Sequence, residues 1–130
     1  MEGAEMKKYS WKMFDSDCEK IAERLKNANY KNIFGIPRGG LMVAIRLSYF
    51  LSIPLILETE KIEKETLVMD DICDSGKTIL KLRDLLGFMP DFISIFNKGQ
   101  PYPIYYCRDT DEWVVFPWET EASSKYDGTF

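Results

Sequence analysis

The sequence predicts an α/β fold in which a mainly parallel sheet is flanked by helices. Short apolar runs at 33–36, 67–69 and 92–96 alternate with stretches of helical periodicity. Continuous apolar runs are typical of strands that are buried on both faces, as in parallel sheets. Alternation of strand and helix favours such a sheet over an antiparallel one.

Caps, breakers and apolar spacing place the elements in order. Ser10 can cap a first helix that keeps helical spacing to Leu25 and ends at 27–29. A strand at 33–36, a helix through 41–51 and a strand at 53–57 follow. The remaining predicted elements are a strand at 67–69, a helix at 79–86 ended by Gly87, and strands at 92–96, 102–107 and 112–116. The whole chain, 1–130, is expected to form one domain with a loosely structured tail over 121–130.

Composition excludes several classes of function. The net charge of −4 argues against a nucleic-acid backbone as partner. No segment is long and apolar enough to span a membrane, and the N-terminus has no signal-peptide core, so a cytoplasmic location is expected. Three dispersed cysteines suit a reducing compartment. Histidine is absent, which removes Ser-His-Asp triads and most zinc sites.

The most informative segment is 66–78, Thr-Leu-Val-Met-Asp-Asp-Ile-Cys-Asp-Ser-Gly-Lys-Thr. Asp70 and Asp71 follow a buried strand, at the end where open α/β sheets place their ligands. The turn 74–78 then leads into a helix, and a helix start of small residues is an anion site. Carboxylates for vicinal hydroxyls or a metal, beside an anion site, indicate a sugar-phosphate ligand.

Two other interpretations of this segment fit the residues less well. A P-loop requires glycine where Asp71 stands, so that motif is absent. A solvated strand end with an ordinary helix cap explains an isolated acidic pair, but not thirteen consecutive suitable positions. Cys73 has no accompanying base and is interpreted as a packing residue.

A second turn, 35–40, also has the features of an anion-binding site. Two glycines allow close backbone approach, and Arg38 offers a guanidinium fork for phosphate oxygens. Taken alone, such a turn is more often structural. Its position one strand–helix unit before the acidic motif favours a functional role.

Segment 66–78 resembles the signature of type I phosphoribosyltransferases, which use 5-phosphoribosyl 1-diphosphate (PRPP), and 35–40 resembles their pyrophosphate loop. The resemblance implies a Rossmann-like fold with a small base-binding hood. It implies that Arg38 and Gly39 bind the diphosphate, and that the peptide there is strained or cis. It further implies that Asp70 and Asp71 bind the ribose, with Asp71 also contacting Mg²⁺.

By the same resemblance, Asp74 is the general base. The 5-phosphate is expected to be held by Asp74, Ser75, Gly76, Lys77 and Thr78.

The C-terminal third resembles the base pocket of 6-oxopurine phosphoribosyltransferases, most closely the bacterial xanthine-guanine branch. A lysine, a tryptophan and a Pro-Trp-acid triplet recur there in this order. The resemblance implies that Lys98 contacts the purine O6, that Trp113 stacks on the ring, and that Val114 and Glu119 read the 2-position edge. On their own, these residues are more often a surface lysine and a core tryptophan, and Trp118 is interpreted as structural.

The implied function is transfer of phosphoribosyl from PRPP to guanine, xanthine or hypoxanthine in purine salvage, by a Mg²⁺-dependent homodimer or homotetramer. Two alternatives stay open: a non-catalytic PRPP- or nucleotide-binding regulatory module, and an enzyme that uses another base.

One expected part of the family pattern is missing. The interval 58–66 has nine residues, six of them charged, where the family usually carries a mobile lid. Nine extended residues reach about 30 Å at ~3.3 Å each. We expect this interval to cross the sheet as an antiparallel edge strand, which leaves no residues for a lid.

Overall fold

A computed structural model describes residues 6–120, with side chains from residue 8 onward. The predicted loose tail at 121–130 lies outside the described residues. The elements in chain order are β1 (Met6–Lys8), α1 (Trp11–Leu25), β2 (Asn32–Gly35), α2 (Gly39–Leu51), β3 (Leu55–Ile56), a 3₁₀ turn (Thr59–Lys61), β4 (Thr66–Cys73), α3 (Lys77–Leu86), β5 (Asp91–Asn97), β6 (Tyr105–Asp109) and β7 (Trp113–Val115). None of the described helices could cross a bilayer.

Five strands form the central sheet in the order β3-β2-β4-β5-β6, and every pair in it is parallel. This confirms the predicted fold class. The chain winds outward from β2 to β3 and then returns to β4, on the other side of β2. The crevice between the carboxyl ends of β2 and β4 is therefore the point where the winding direction reverses, which is where open α/β sheets bind ligands.

Alternating side chains on the strands build a core on each face of the sheet. Ile33 and Leu67 point to the layer of α1 and α2, whereas Phe34 and Val68 point to the layer of α3. Each is essentially fully buried, and burying such a side chain contributes about 1.5–3 kcal/mol. The strands are thus held from both sides, as their continuous apolar character predicted.

A separate two-stranded sheet was not predicted from the sequence. β1 pairs in parallel with β7, and the pair lies outside the central sheet. Aromatic packing ties this small hood to the core, since Tyr9 meets Phe96 edge to face at 5.1 Å. Phe116 stacks on Trp118 at 5.1 Å, which accords with a structural role for Trp118.

The predicted antiparallel edge strand over 58–66 is wrong. The chain forms a 3₁₀ turn, and Ile62 is then buried among Phe34, Val68 and other residues of the α3 layer. The segment runs back from the carboxyl end of β3 to the start of β4, opposite to the strands, but Ile62 packs on a face of the sheet and the segment adds no strand to the edge beside β3. The segment is instead a crossover packed on one face of the sheet.

Three predicted strands differ from their expected bounds. The strand predicted at 53–57 is paired only at Leu55–Ile56, the one predicted at 102–107 forms at Tyr105–Asp109, and the one predicted at 112–116 is reduced to Trp113–Val115. Pro101 and Pro103 explain the later start, because proline has no N–H to donate to a neighbouring strand.

A buried carboxylate joins α1 to β6. Asp17 is 1% exposed and accepts hydrogen bonds from Arg108 Nε at 2.7 Å and from the Tyr9 hydroxyl. Burial, together with the hydrogen bond to Asp17, raises the pKa of Tyr9, so its hydroxyl stays a donor at neutral pH. The network fixes the first helix and the entry to the hood against the far edge of the sheet.

Asp17→Asn is expected to lower the free energy of unfolding by about 3 kcal/mol, because breaking a buried ion pair leaves Arg108 without its counter-charge. The measurement is urea denaturation followed by circular dichroism. Asp15→Asn, in the exposed pair with Arg46 (2.6 Å), is the matched control and should change stability far less. Equal losses in the two variants would contradict this role of Asp17.

Candidate active site

A cleft of about 320 Å³ opens at the carboxyl ends of β2, β4 and β5, beneath the hood. The structure brings together every residue singled out from the sequence, although their roles remain predictions. Those lining residues are Arg38, Gly39, Asp70, Asp71, Asp74, Ser75, Gly76, Lys77, Thr78, Lys98, Trp113, Val114 and Glu119.

The paired carboxylates at the end of β4 are oriented by the backbone. Asp70 Oδ1 accepts from the Asp71 N–H at 2.8 Å, and Asp71 Oδ1 accepts from the Ile72 N–H at 2.8 Å. Asp71 is 6% exposed, whereas Asp70 is partly open to the cleft. Hydrogen bonds of this kind restrict the rotation of a carboxylate and so fix the direction of its oxygens.

The turn between β2 and α2 is packed directly against these carboxylates. The Ile36 N–H donates to the Met69 carbonyl at 2.8 Å, and the Pro37–Arg38 peptide is cis, as the resemblance implied. A Cβ on Gly39 would lie 1.8 Å from Asp71 Oδ2. Glycine at this position therefore allows the Arg38 turn and the acidic strand end to share one wall of the cleft.

The anion turn lies between β4 and α3. Gly76 adopts a left-handed conformation (φ +82°) as the N-cap of α3, and Ser75 Oγ accepts from the Lys77 N–H at 3.3 Å. The unpaired N–H groups of a helix start carry partial positive charge, which suits a phosphate. The Tyr102 ring packs over Gly76, where a Cβ would lie 2.4 Å from Cε2.

Lys98 and Asp74 form an ion pair that the sequence did not predict. Lys98 Nζ lies 3.4 Å from Asp74 Oδ1, and the Lys98 N–H donates to the Cys73 carbonyl at 2.9 Å. The predicted purine-O6 donor and the predicted general base are thus neighbours. Any ligand between them meets a cation and a carboxylate at once.

The hood forms the other wall of the cleft. Along β7 the side chains alternate: Trp113 is about half exposed and Val114 is buried. Glu119 Oε1 accepts from the Phe116 N–H at 3.0 Å, which holds its carboxylate beside the hood strand. A flat ring can therefore meet an indole and a fixed carboxylate on this wall, which Val114 also lines.

Cys73 lines the cleft but is only 3% exposed. Burial raises the pKa of its thiol to about 11, and the charges of Asp70 and Asp74 add to the effect. The thiol is therefore protonated at neutral pH, which suits the packing role inferred from the sequence.

The described residues contain no cluster of three or more cysteine or acidic side chains that could hold a metal by themselves. Mg²⁺ is usually bound by one or two carboxylates together with substrate phosphates and water. The oriented pair Asp70 and Asp71, facing two anion sites, fits that shared mode of binding.

Two further residues beside the anion turn were missed in the sequence. Gln100 and Tyr102 both contact the anion turn, from the loop between β5 and β6. A polar residue beside Pro101, directly after a strand that ends at the site, is the only local signal for them.

Comparison with known proteins agrees with this geometry. No protein-family model matches the chain. A xanthine-guanine phosphoribosyltransferase of Nitratidesulfovibrio vulgaris is 27% identical over 138 residues, covering 87% of this chain and 84% of the relative. The crystal structure of a purine phosphoribosyltransferase from Pyrococcus horikoshii matches with a TM-score of 0.74 and 28% identity, covering 88% and 94% of the two chains.

A Helicobacter pylori xanthine-guanine-hypoxanthine phosphoribosyltransferase matches with a TM-score of 0.73, at 19% identity and with 88% and 92% coverage, which supports the fold alone. The chain is thus a homologue of the type I phosphoribosyltransferases and has their fold, as its motifs predicted. Relatives at 27–28% identity are named xanthine-guanine phosphoribosyltransferase, the branch that the C-terminal third resembles.

Gly76→Ala is expected to destabilise the protein by about 2–3 kcal/mol, because alanine meets both a left-handed backbone and the Tyr102 ring. Gly87→Ala is the matched control: φ is +84° with no atom near its Cβ, so only the backbone cost of about 1 kcal/mol applies. Thermal and urea unfolding measure both.

In a double-mutant cycle of Gly76→Ala and Tyr102→Ala, the coupling free energy should equal the extra loss of stability of Gly76→Ala over Gly87→Ala. Additive losses in that double-mutant cycle would show that Tyr102 does not pack on the turn.

Proposed function

We propose that this protein transfers the 5-phosphoribosyl group from PRPP to a 6-oxopurine base and releases diphosphate. The observation that carries the proposal is a single cleft in which two anion turns and a carboxylate pair face a lysine and a half-exposed tryptophan. Its 27–28% identity to enzymes named xanthine-guanine phosphoribosyltransferase supports the same activity. Purine salvage in the cytoplasm is the proposed setting.

PRPP spans the two turns in this proposal. The 5-phosphate lies on the N–H groups of 75–78 at the start of α3, and the ribose hydroxyls bond to Asp70 and Asp71. The diphosphate then reaches the Arg38 guanidinium and the Gly39 N–H on the other turn. Charge-assisted hydrogen bonds at both ends would hold the reacting carbon between them.

Asp71, with Asp70 beside it, would hold Mg²⁺ together with PRPP oxygens; when bound, the ion neutralises charge on the diphosphate. The two backbone N–H donors to these carboxylates hold them in the orientation that this task requires.

The reaction breaks the bond from ribose C1 to the diphosphate oxygen and forms a bond from C1 to a purine ring nitrogen. Positive charge develops on the ribose as the leaving group departs, and the carboxylates at the end of β4 stabilise it. Asp74 accepts the proton of the attacking imidazole nitrogen. The electron pair of the broken bond leaves with the diphosphate.

Lys98 has two partners in this scheme. Without a base, its ammonium group lies 3.4 Å from the Asp74 carboxylate. When a 6-oxopurine enters, Lys98 donates to O6 while Trp113 stacks on the ring, and Val114 with Glu119 faces the 2-position edge. Asp74 is then left to take the proton.

A non-catalytic PRPP-binding module is the second candidate. The crossover at 57–65 favours it, because Ile62 anchors that segment in the core and leaves no lid there to exclude water from the cleft. In a homodimer or homotetramer, a neighbouring subunit could cover the cleft in place of a lid. Light scattering measures the oligomeric state.

The deciding assay is diphosphate release from PRPP and Mg²⁺, with guanine, xanthine, hypoxanthine or uracil present or no base added. Release that depends on a 6-oxopurine is the expected result. Binding of PRPP without release for any base would favour the regulatory module, and release only with uracil would change the acceptor.

Asp74→Asn is expected to lower kcat by roughly 100- to 10,000-fold, the usual contribution of a general base, with PRPP affinity within a few-fold of wild type. Steady-state kinetics and calorimetric titration with PRPP provide the two readouts. Asp84→Asn, the same change on the exposed side of α3, is the control and should be neutral. If kcat and PRPP affinity fell by similar factors, the result would contradict the role of Asp74 as general base.

Lys98→Met is expected to raise KM for guanine about 10- to 100-fold, because a buried purine carbonyl loses its charged donor. KM for PRPP should stay within about twofold, since Lys98 lies on the base side. Lys64→Met on the exposed crossover is the control. An increase confined to KM for PRPP would place Lys98 outside the base pocket.

A further inference from the structure

The loop between β5 and β6 is built against the anion turn. The Gln100 side-chain amide donates from Nε2 to the Asp74 carbonyl at 3.0 Å. Two residues later, the Tyr102 ring covers Gly76 in the same turn. Neither residue has a part in the substrate contacts proposed above.

Gln100 is itself held in place by a buried side chain. Asn97, 2% exposed, donates from Nδ2 to the Gln100 carbonyl at 2.8 Å and accepts from the Gln100 N–H at 3.2 Å. Pro101 further restricts the backbone of the residue before it. The Gln100 side chain therefore extends from a fixed point on the central sheet.

The bond to the Asp74 carbonyl has a consequence on the other side of the same peptide group. That peptide joins the Asp74 C=O to the Ser75 N–H, and in a planar trans peptide the two point in opposite directions. Fixing the carbonyl on Gln100 therefore fixes the direction of the Ser75 N–H. This N–H is the first of the amides that form the anion turn.

We infer that Gln100 is a positioning residue for the 5-phosphate site: it holds the Asp74–Ser75 peptide in the orientation that binds phosphate before the ligand arrives. The inference rests on the proposed function for its ligand. A preorganised turn strengthens binding of PRPP in the ground state and in the transition state alike, so its loss raises KM and leaves kcat nearly unchanged.

The test uses Gln100→Met, which keeps the length of the side chain but removes the donor, and Gln100→Lys, which restores a donor. Lys26→Met, at the exposed carboxyl-terminal cap of α1, is the control. The measurements are kcat and KM for PRPP, calorimetric affinity for ribose 5-phosphate, and hydrogen exchange of the amides in 75–78.

The Met variant should raise KM for PRPP and weaken ribose 5-phosphate binding about fivefold, the value of one neutral hydrogen bond, with kcat within twofold. Exchange should rise in 75–78 only. The Lys variant should return all three quantities to near wild type. If the Met variant does not fold, Gln100→Glu, which also lacks the donor, replaces it.

Unchanged KM and unchanged exchange in the Met variant would overturn the inference, as would a loss of kcat at constant KM, which signals fewer folded molecules. Failure of Lys to restore binding would overturn it too. If wild type shows no base-dependent turnover, the proposed function fails, while ribose 5-phosphate affinity and amide exchange still decide the role of Gln100.

Discussion

The pairing of β2 with β4 determines where the Arg38 turn and the paired carboxylates of the cleft lie. Gly35 is in register with Met69, and the Ile36 N–H continues the ladder onto the Met69 carbonyl. The turns that follow β2 and β4 therefore begin at the same level along the strands, and the crevice lies between them. A slip of this register would separate the Arg38 turn from the carboxylates, because Gly39 and Asp71 fit only in direct contact.

The local parts of the site were predictable from the sequence because each is contained in one turn. Asp70, Asp71 and the turn 74–78 follow a strand that is recognisable as a buried apolar run, and chain order alone places them at its carboxyl end. The same holds for the parallel sheet, because helices connect β2 to β3 and β4 to β5. Lys98 and Trp113 needed the family resemblance, since a lysine after a strand has no distinctive local pattern.

What could not be predicted depends on contacts between distant segments. β1 is three residues long, and only its pairing with β7, more than a hundred positions away, makes it a strand. In the sequence, Asp17 has the character of a solvent-facing residue of an amphipathic helix. Its burial depends on the hydrogen bond from Arg108, which lies on β6. The sequence predicts an edge strand at the crossover because the charged residues around Ile62 do not indicate that its side chain is buried.

The short β3 has a consequence for how copies of this protein meet in solution. An edge strand exposes unpaired N–H and C=O groups that can template pairing with another chain, and long, flat edges aggregate. Here the outer edge of the sheet ends after Leu55–Ile56, and a turn rich in charge follows at once. With only two residues available for pairing, this edge cannot support an additional strand, so the early turn protects this side of the sheet from edge-to-edge growth.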